Sequence, residues 1–224
     1  DRRRRGRDPL SRELVLDAVQ HLTAYKAAGY RVEALCSRTE SKARAQAAQF
    51  YPEAEVQTDF RKVLARDDID VISLATPDHW HAIPAIMAAK AGKDVYGEKP
   101  FSHDLKEGRA MVTALNQYGR VWQTGSWQRS TGDFRFACEL VRNGRIGKVH
   151  TVEVGLPTGG GGGHAPFTDP PAHLDYDFWC GPSPWAPYSG DRTHWNWRWQ
   201  MDYGGGQLMD WVGHHGDIAQ WGLG

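Results

Sequence analysis

A charged triplet, Glu98-Lys99-Pro100, closes an apolar segment that is typical of a β-strand (KDVYGEKP, 93–100). Proline fixes its own φ angle and disfavours helical geometry in the preceding residue, so we expect Lys99 to be held in an extended conformation at the strand end. An ammonium group there can orient a substrate hydroxyl or lower its pKa. The alternative is a surface ion pair, which the triplet alone leaves open.

A second candidate group is Asp210 with His214, four residues apart in a helical segment. This spacing places both side chains on one helix face, where a carboxylate and an imidazole can orient a substrate and move its proton. His215 lies about 100° further round the helix. Asp217 would allow a metal site with Asp210 and His214, but no further ligand has a clear spacing, so we predict no metal. A histidine with only a structural hydrogen bond is the remaining alternative.

The end of an early strand, RVEALCS (31–37), carries Ser37 and Arg38, and Lys42 follows in the next helix. In dinucleotide-binding folds, an acidic residue at this place binds the ribose diol. No acid occurs at 37–39, whereas a hydroxyl and two cations suit a 2′-phosphate. The residues therefore favour NADP over NAD, although an ordinary helix cap followed by helix charges would have the same pattern.

The motif ATPDHWH (75–81) follows another buried strand. Thr76 and Pro77 turn the chain, and His79 and His81 begin the next helix, where free N–H groups can meet a phosphate or ribose. We expect Thr76, Pro77 and His81 to contact a cofactor. The run GGGGG (159–163) lacks the strand and the Lys-Ser/Thr of a phosphate-binding loop, and we interpret it as a mobile loop.

Alternating strands and helices position these residues. This order predicts a doubly wound, Rossmann-like parallel α/β sheet whose strands end at one edge, where ligands bind. The predicted strands are 31–37, 54–58, 69–77, 93–100 and 120–126, and the predicted helices are 39–50, 59–68, 81–92, 103–118 and 133–144, with Ser102 as the cap of the fourth.

The pattern changes after residue 147. A strand is predicted in KVHTVEVGL (148–156), followed by an irregular stretch and a closing helix at 205–222. We expect a dinucleotide-binding domain at 1–147 and the start of an α+β substrate domain at 148–224. The apolar face of the closing helix is predicted to comprise Leu208, Trp211, Val212, His215 and Ile218.

Both ends of the chain look cut. No G-x-G-x-x-G motif is present, and the first clear strand resembles the second strand of a dinucleotide-binding fold. We therefore expect the first strand to be missing, and the chain to be a fragment or a truncated member of its class.

Composition excludes several classes of function. Lys+Arg and Asp+Glu both number 27 in 224 residues, which gives no reason to expect nucleic acid or an anionic membrane as a partner. The basic run RRRRGR (2–7) is interpreted as a solvated or disordered end. No apolar run is long enough to span a membrane. Cys36, Cys138 and Cys180 are odd in number and widely spaced, which favours reduced thiols and a cytoplasmic location, with export left open because the N-terminus looks incomplete.

Together these motifs resemble the Gfo/Idh/MocA family of sugar and inositol oxidoreductases. ATPDHWHAIPAIMAAKAGKDVYGEKPFS is similar to the family's strand-turn-helix-EKP segment, and GGGQLMDWVGHHGDIAQWGLG to its D-x-x-x-H helix. DYDFWCGPSPWAPYSGDRTHWNWRW resembles the long loop of bacterial members. EKP and the D-x-x-x-H helix, in this order and about 110 residues apart, make the resemblance fairly specific.

The resemblance implies roles for particular residues. Lys99 matches the lysine near the nicotinamide, Asp210 the family's aspartate, and His214 its acid/base histidine. Glu98 is implied to line the nicotinamide pocket with Lys99. Further cofactor contacts are implied at Ser37, Arg38, Lys42, Gln128, Trp197 and Arg198.

The implied activity is NAD(P)-dependent transfer of hydride between a nicotinamide and a carbohydrate or polyol. Two alternatives stay open: a glycosidase that uses transient oxidation with retained NAD, and a non-catalytic truncated homologue. The implied partners are NADP or NAD, with NADP favoured, a small carbohydrate substrate, and further copies of the full-length chain in a homo-oligomer.

Overall fold

The computed structural model describes residues 12–16, 19–160 and 165–224. Its strands are β1 (Arg12–Leu16), β2 (Arg31–Cys36), β3 (Glu55–Gln57), β4 (Val71–Leu74), β5 (Asp94–Glu98) and β6 (Trp122–Gly125). Its α-helices are α1 (Val19–Ala28), α2 (Glu40–Phe50), α3 (Phe60–Leu64), α4 (Ala82–Lys90), α5 (Leu105–Tyr118), α6 (Gly132–Arg142), α7 (Tyr176–Cys180) and α8 (Gly206–Leu223). Short 3₁₀ turns lie at Asp78–Trp80, Trp127–Ser130, Gly190–Arg192 and Asn196–Trp199. The basic run at 2–7 and residues 161–163 of the glycine run lie outside the described residues.

The strands form one sheet in the order β3-β2-β1-β4-β5-β6, and β1 pairs in parallel with both β2 and β4. The predicted doubly wound α/β fold is confirmed. The prediction that its first strand is missing was wrong, because β1 lies inside the sheet, with Leu14 opposite Ile72. Its sequence, RELVL, is short and carries two charges beside a basic run, so it lacks the apolar signal of β4.

Contacts divide the described chain into two compact units. The first unit runs to Thr76 and includes 81–98 and 104–124, and the second comprises 77–80, 99–103 and 125–224. The domain boundary predicted at 147/148 stays a prediction. Among the described residues, no helix is long and apolar enough to cross a membrane.

The first unit is built around buried apolar side chains of β2, β4 and the flanking helices, including Leu22, Leu35, Ile72 and Met111. Complete burial of Ile72 and Leu74 fits a parallel strand covered on both faces. Helix α5 is capped by Asp104, whose carboxylate accepts a hydrogen bond from the Glu107 N–H, and not by Ser102 as predicted. Serine and aspartate are both favourable N-cap residues. Because α5 begins at Leu105, Asp104 and not Ser102 occupies the N-cap position.

The second unit contains a compact aromatic core formed by Tyr176, Cys180, Tyr188 and Tyr203. Residues 148–156 form no strand there, so the strand predicted from KVHTVEVGL was wrong. A strand is stable only when a neighbouring strand satisfies its backbone groups, and local alternation does not supply that neighbour. The closing helix predicted at 205–222 is confirmed as α8.

Candidate active site

Lys99 and Asp210 form the centre of the candidate site in the second unit. The Lys99 ammonium donates to Asp210 Oδ1 at 2.5 Å and to the Asp210 carbonyl oxygen at 2.6 Å. The two side chains are only 15% and 17% exposed. The aliphatic part of Lys99 packs beside Gly213, where a Cβ would lie 3.4 Å from Lys99 Cδ, an ordinary van der Waals contact. The sequence motifs that lie 111 residues apart are thus joined by direct contact.

Arg198 brings a second cation to the same carboxylate. Its Nε lies 3.9 Å from Asp210 Oδ1. Its guanidinium carbon stands 4.1 Å from the ring centroid of Trp195 and 4.6 Å from that of Trp197. Contacts of this kind attract a cation to the ring face and hold the guanidinium in place. Asp210 therefore lies between two positively charged groups.

His214 lies one turn along α8 from Asp210 and is 7% exposed. Its ring packs edge-on against Trp211 and Trp127, at centroid distances of 5.8 and 6.1 Å. The apolar face predicted for α8 is intermediate in burial at four of its five residues, namely Trp211, Val212, His215 and Ile218. Leu208 is 67% exposed, and His215 is less buried than His214.

Helix α8 instead buries polar side chains of its candidate-site face. His214 is 7% exposed, and the Asp210 side chain is 17% exposed. His215 Nδ1 instead donates to the Gly155 carbonyl at 2.9 Å, outside the Lys99 and Asp210 contact.

Asp78 is a candidate-site residue that the sequence analysis missed. It is 8% exposed, and burial raises the pKa of its carboxyl to about 7. The nearby charges of Lys99 and Arg198 act in the opposite direction, whereas Asp210 raises this pKa further. In ATPDHWH, Asp78 has a residue type that is common in turns, so no local pattern distinguishes it.

Two histidines of the same motif are buried and bonded to the backbone. His79 Nε2 donates to the Trp179 carbonyl at 2.8 Å, and His81 Nε2 donates to the Thr76 carbonyl at 2.8 Å. The hydrogen bond from His81 fixes the backbone of Thr76 at the end of β4. Pro77 continues directly into the 3₁₀ turn at Asp78–Trp80.

In the first unit, predicted cofactor residues follow the carboxyl ends of β2 and β4, the two strands that flank β1. Ser37 comes after β2, where its N–H donates to the Gln57 carbonyl at 3.1 Å and its hydroxyl accepts from the Thr39 N–H at 3.2 Å. Arg38 and Lys42 are exposed. Thr76 follows β4, and its buried Oγ1 has no hydrogen-bond partner in the part of the chain that the structure describes.

Glu98 ends β5 and contacts a residue that the sequence analysis did not identify. His21 Nε2 lies 2.7 Å from Glu98 Oε1, and His21 Nδ1 lies 3.3 Å from Ser73 Oγ. Tyr25 extends the chain, since its hydroxyl lies 3.0 Å from Ser73 Oγ. A single histidine in a helix, far from Glu98 in sequence, gives no pattern from which this contact could be predicted.

Of the remaining predicted residues, Trp197 packs against the aromatic core of the second unit. Gln128 is 4% exposed, and its Oε1 finds no partner among residues 12–16, 19–160 and 165–224. Asp217, weighed as a metal ligand, accepts two hydrogen bonds from Arg129, at 2.6 and 2.7 Å, which hold the pKa of its carboxyl below the usual value. The described residues include no group of three or more side chains suited to a metal.

The sheet order and parallel pairing define a class: proteins with a Rossmann-type nucleotide-binding domain. Sequence comparison agrees. Residues 16–126 match the NAD-binding Rossmann fold of the Gfo/Idh/MocA oxidoreductase family, and residues 125–224 match that family's C-terminal alpha/beta domain. The chain belongs to this family.

Two relatives show which enzymes the chain is similar to. The chain is 33% identical over 105 residues to a levoglucosan dehydrogenase of Pseudarthrobacter phenanthrenivorans, covering 47% of this chain and 27% of that protein. It is 31% identical over 97 residues to a 2,7-anhydro-N-acetylneuraminate hydratase of Mediterraneibacter gnavus, covering 43% of this chain and 26% of that protein.

A crystal structure of an oxidoreductase domain protein from Kribbella flavida superposes with a TM-score of 0.71 at 27% identity, covering 95% of this chain and 53% of that one. The chain therefore spans about half the length of that protein, and its matched segments cover about a quarter of the two relatives.

Proposed function

We propose that the complete protein is an NAD(P)-dependent oxidoreductase acting on a hydroxyl or carbonyl group of a carbohydrate or polyol. The observation that carries this proposal is the direct contact of Lys99 with Asp210, with His214 one turn along the same helix. An imidazole can accept the proton of an alcohol, and a cation held by a carboxylate can stabilise the resulting alkoxide.

The three residues have distinct proposed roles. His214 takes the hydroxyl proton during oxidation and returns it during reduction. Lys99 stabilises the negative charge that develops on the substrate oxygen, and Asp210 holds Lys99 in place while accepting a hydrogen bond from the substrate. A bound nicotinamide supplies the acceptor or donor of hydride.

The first unit contains groups that suit a dinucleotide. Thr76 Oγ1 is a buried polar atom without a partner among the described residues, at the edge where ligands of such sheets bind. Glu98 is another proposed contact of the first unit near the nicotinamide, and His81 supports the backbone of Thr76. Gln128, Pro77, Trp197 and Arg198 are proposed cofactor contacts of the second unit.

The finer proposal is that NADP binds more tightly than NAD. Ser37 offers a hydroxyl, and the exposed Arg38 and Lys42 offer positive charge where an acid would bind a ribose diol. A charge-assisted contact to a 2′-phosphate is worth about 1.5–3 kcal/mol, so we expect about 10- to 100-fold discrimination. Arg38→Ala should shrink the difference between the two dissociation constants. Tighter binding of NAD by the wild type would refute this preference.

A second candidate is a reaction with transient oxidation and no net redox change, such as the glycosidase mechanism. The similarity to a 2,7-anhydro-N-acetylneuraminate hydratase supports this second candidate. Incubating the complete protein with NAD or NADP and a panel of sugars and polyols separates the two. A dehydrogenase accumulates reduced nicotinamide, whereas the second candidate releases a changed sugar without it.

If the complete protein bound neither NAD nor NADP, the remaining hypothesis would be a non-catalytic homologue. The homo-oligomeric state and the cytoplasmic location stay predictions.

A further inference from the structure

His21 of α1 contacts one face of the sheet in the first unit. Strands β4 and β5 pair in parallel with Ser73 opposite Tyr96, and Glu98, two residues further along β5, shares that face. The ring of His21 packs edge-on against Tyr96, at a centroid distance of 5.6 Å. Because Glu98 is the last residue of β5, its carboxylate lies at the edge of the sheet where ligands of such folds bind.

Four side chains of this face form a continuous set of hydrogen bonds. Tyr25 Oη lies 3.0 Å from Ser73 Oγ, His21 Nδ1 lies 3.3 Å from the same Oγ, and His21 Nε2 lies 2.7 Å from Glu98 Oε1. A neutral imidazole that donates from Nε2 to the carboxylate accepts at Nδ1 from the Ser73 hydroxyl, which in turn accepts from Tyr25. Ser73 is fully buried, so the imidazole is held at both nitrogens by the packed sheet.

Glu98 is fixed through one of its two carboxylate oxygens. Its side chain is 30% exposed, and the residues that the structure describes form no hydrogen bond with its Oε2. On the neighbouring strand end, the buried Thr76 Oγ1 also lacks a partner among them. An acceptor and a hydroxyl at adjacent strand ends suit the hydrogen-bonding groups of a nucleotide.

We propose that His21 is a positioning residue of the cofactor site. Its Nε2–H holds Glu98 Oε1, which leaves Glu98 Oε2 oriented to accept an N–H or O–H of the nicotinamide nucleoside. The inference rests on the proposed function, and His21 acts through Glu98 without touching the cofactor. Without His21, the Glu98 side chain must be ordered when the cofactor binds, and ordering one such side chain weakens an affinity by about 3- to 10-fold.

The first test is ¹⁵N NMR of the histidine rings in the complete protein without ligands. The His21 signals are identified as those missing in His21→Gln. We expect the neutral ring to carry its proton on Nε2 alone, because Nδ1 accepts from Ser73. A proton on Nδ1, or the mixture of tautomers of an imidazole in water, would overturn the proposal.

The second test compares cofactor binding by two variants whose circular dichroism matches the wild type. The amide N–H of glutamine reaches about as far as the imidazole Nε2 and can still donate to Glu98, whereas the amide of asparagine reaches only as far as Nδ1. His21→Asn should therefore raise the dissociation constants of NADH and NADPH by about 3- to 10-fold, and His21→Gln should stay close to wild type. Lys26→Ala, at an exposed position of the same helix, is the control and should change neither constant.

Smaller ligands locate the contact. ADP lacks the whole nicotinamide nucleoside and should bind wild type and both variants equally. If His21→Asn also weakens ADP-ribose, Glu98 accepts from a ribose hydroxyl; if it weakens only NADH and NADPH, Glu98 accepts from the carboxamide. Equal constants for the two variants, or an equal loss for ADP, would overturn the inference and leave the proposed function standing. A wild type that binds neither NADH nor NADPH would refute the proposed function and this inference with it.

Discussion

Replacing Lys99 by methionine removes the cation while keeping an unbranched side chain of similar length. The lost contacts are those to Asp210 Oδ1 at 2.5 Å and to its carbonyl oxygen at 2.6 Å. Removing one electrostatic stabiliser of a developing oxyanion costs about 2.7–4 kcal/mol. We therefore expect kcat/KM to fall by about 10²- to 10³-fold, measured by formation of reduced nicotinamide with the complete protein.

The same substitution should leave the fold in place. Arg198 remains 3.9 Å from Asp210 Oδ1, so the buried carboxylate keeps one cation nearby. Leaving a buried acceptor without its donor costs about 1–3 kcal/mol, and we expect a loss of unfolding free energy at the low end of that range. Chemical denaturation followed by circular dichroism measures it.

Lys93 is the matched control for a buried lysine with a structural role. Its ammonium donates to the carbonyls of Arg66 and Ile69, at 2.6 and 2.9 Å, in the first unit. Lys93→Met should lose stability but retain the kcat of the folded protein. If Lys99→Met kept wild-type turnover with an intact fold, or if Lys93→Met lost kcat to the same extent, the assignment of Lys99 to the chemistry would be wrong.

The remaining predictions concern the histidines, packing and pH. His214→Ala should lower kcat/KM by about 10²-fold or more and His215→Ala by much less, because only His214 shares the buried face with the candidate site; the reverse order in steady-state kinetics would identify the wrong histidine. Gly97→Ala should lower the free energy of unfolding by about 1–3 kcal/mol in a denaturant titration, because the new Cβ would lie 2.1 Å from an indole carbon of Trp122 in β6. At Gly132 a Cβ meets nothing within 4 Å, so Gly132→Ala should be close to neutral. Equal effects of the two substitutions would refute the packing argument. Because the pKa of Asp78 is raised from 3.8 to about 7, its stabilising contribution is present below pH 3.8 and is lost as pH rises through about 7. The unfolding free energy of the wild type should therefore decline over this pH window relative to that of Asp78→Asn. Parallel profiles of unfolding free energy against pH for the two proteins would contradict the raised pKa.

Much of the first unit could be predicted from local sequence. The apolar run that contains Ile72 and Leu74 indicates a strand buried on both faces, and the alternation of strands with helices fixes the parallel arrangement. The strand Arg12–Leu16 was not predicted, because five residues with two charges give little periodic signal. Its place in the sheet depends on pairing with β2 and β4, which no local pattern reports.

The candidate site shows the same division. The residue types and spacing of Asp210 and His214 predict a shared helix face, because helix geometry is local. Asp78 could not be recognised in this way. Its importance comes from burial beside Lys99 and Arg198, and burial is a property of the packed chain.

The sequence by itself determined the class of fold and the positions of most helices and strands, because backbone preferences and periodic burial act over a few neighbouring residues. It also supplied the candidate residues Lys99, Asp210 and His214, whose roles stay proposals. Only the tertiary structure decided that Lys99 contacts Asp210, that Arg198 joins them, and that Glu98 is held by His21. These contacts join residues that are 12 to 111 positions apart. Electrostatic interactions depend on distance and burial in space, and neither is encoded by the spacing of residues along the chain.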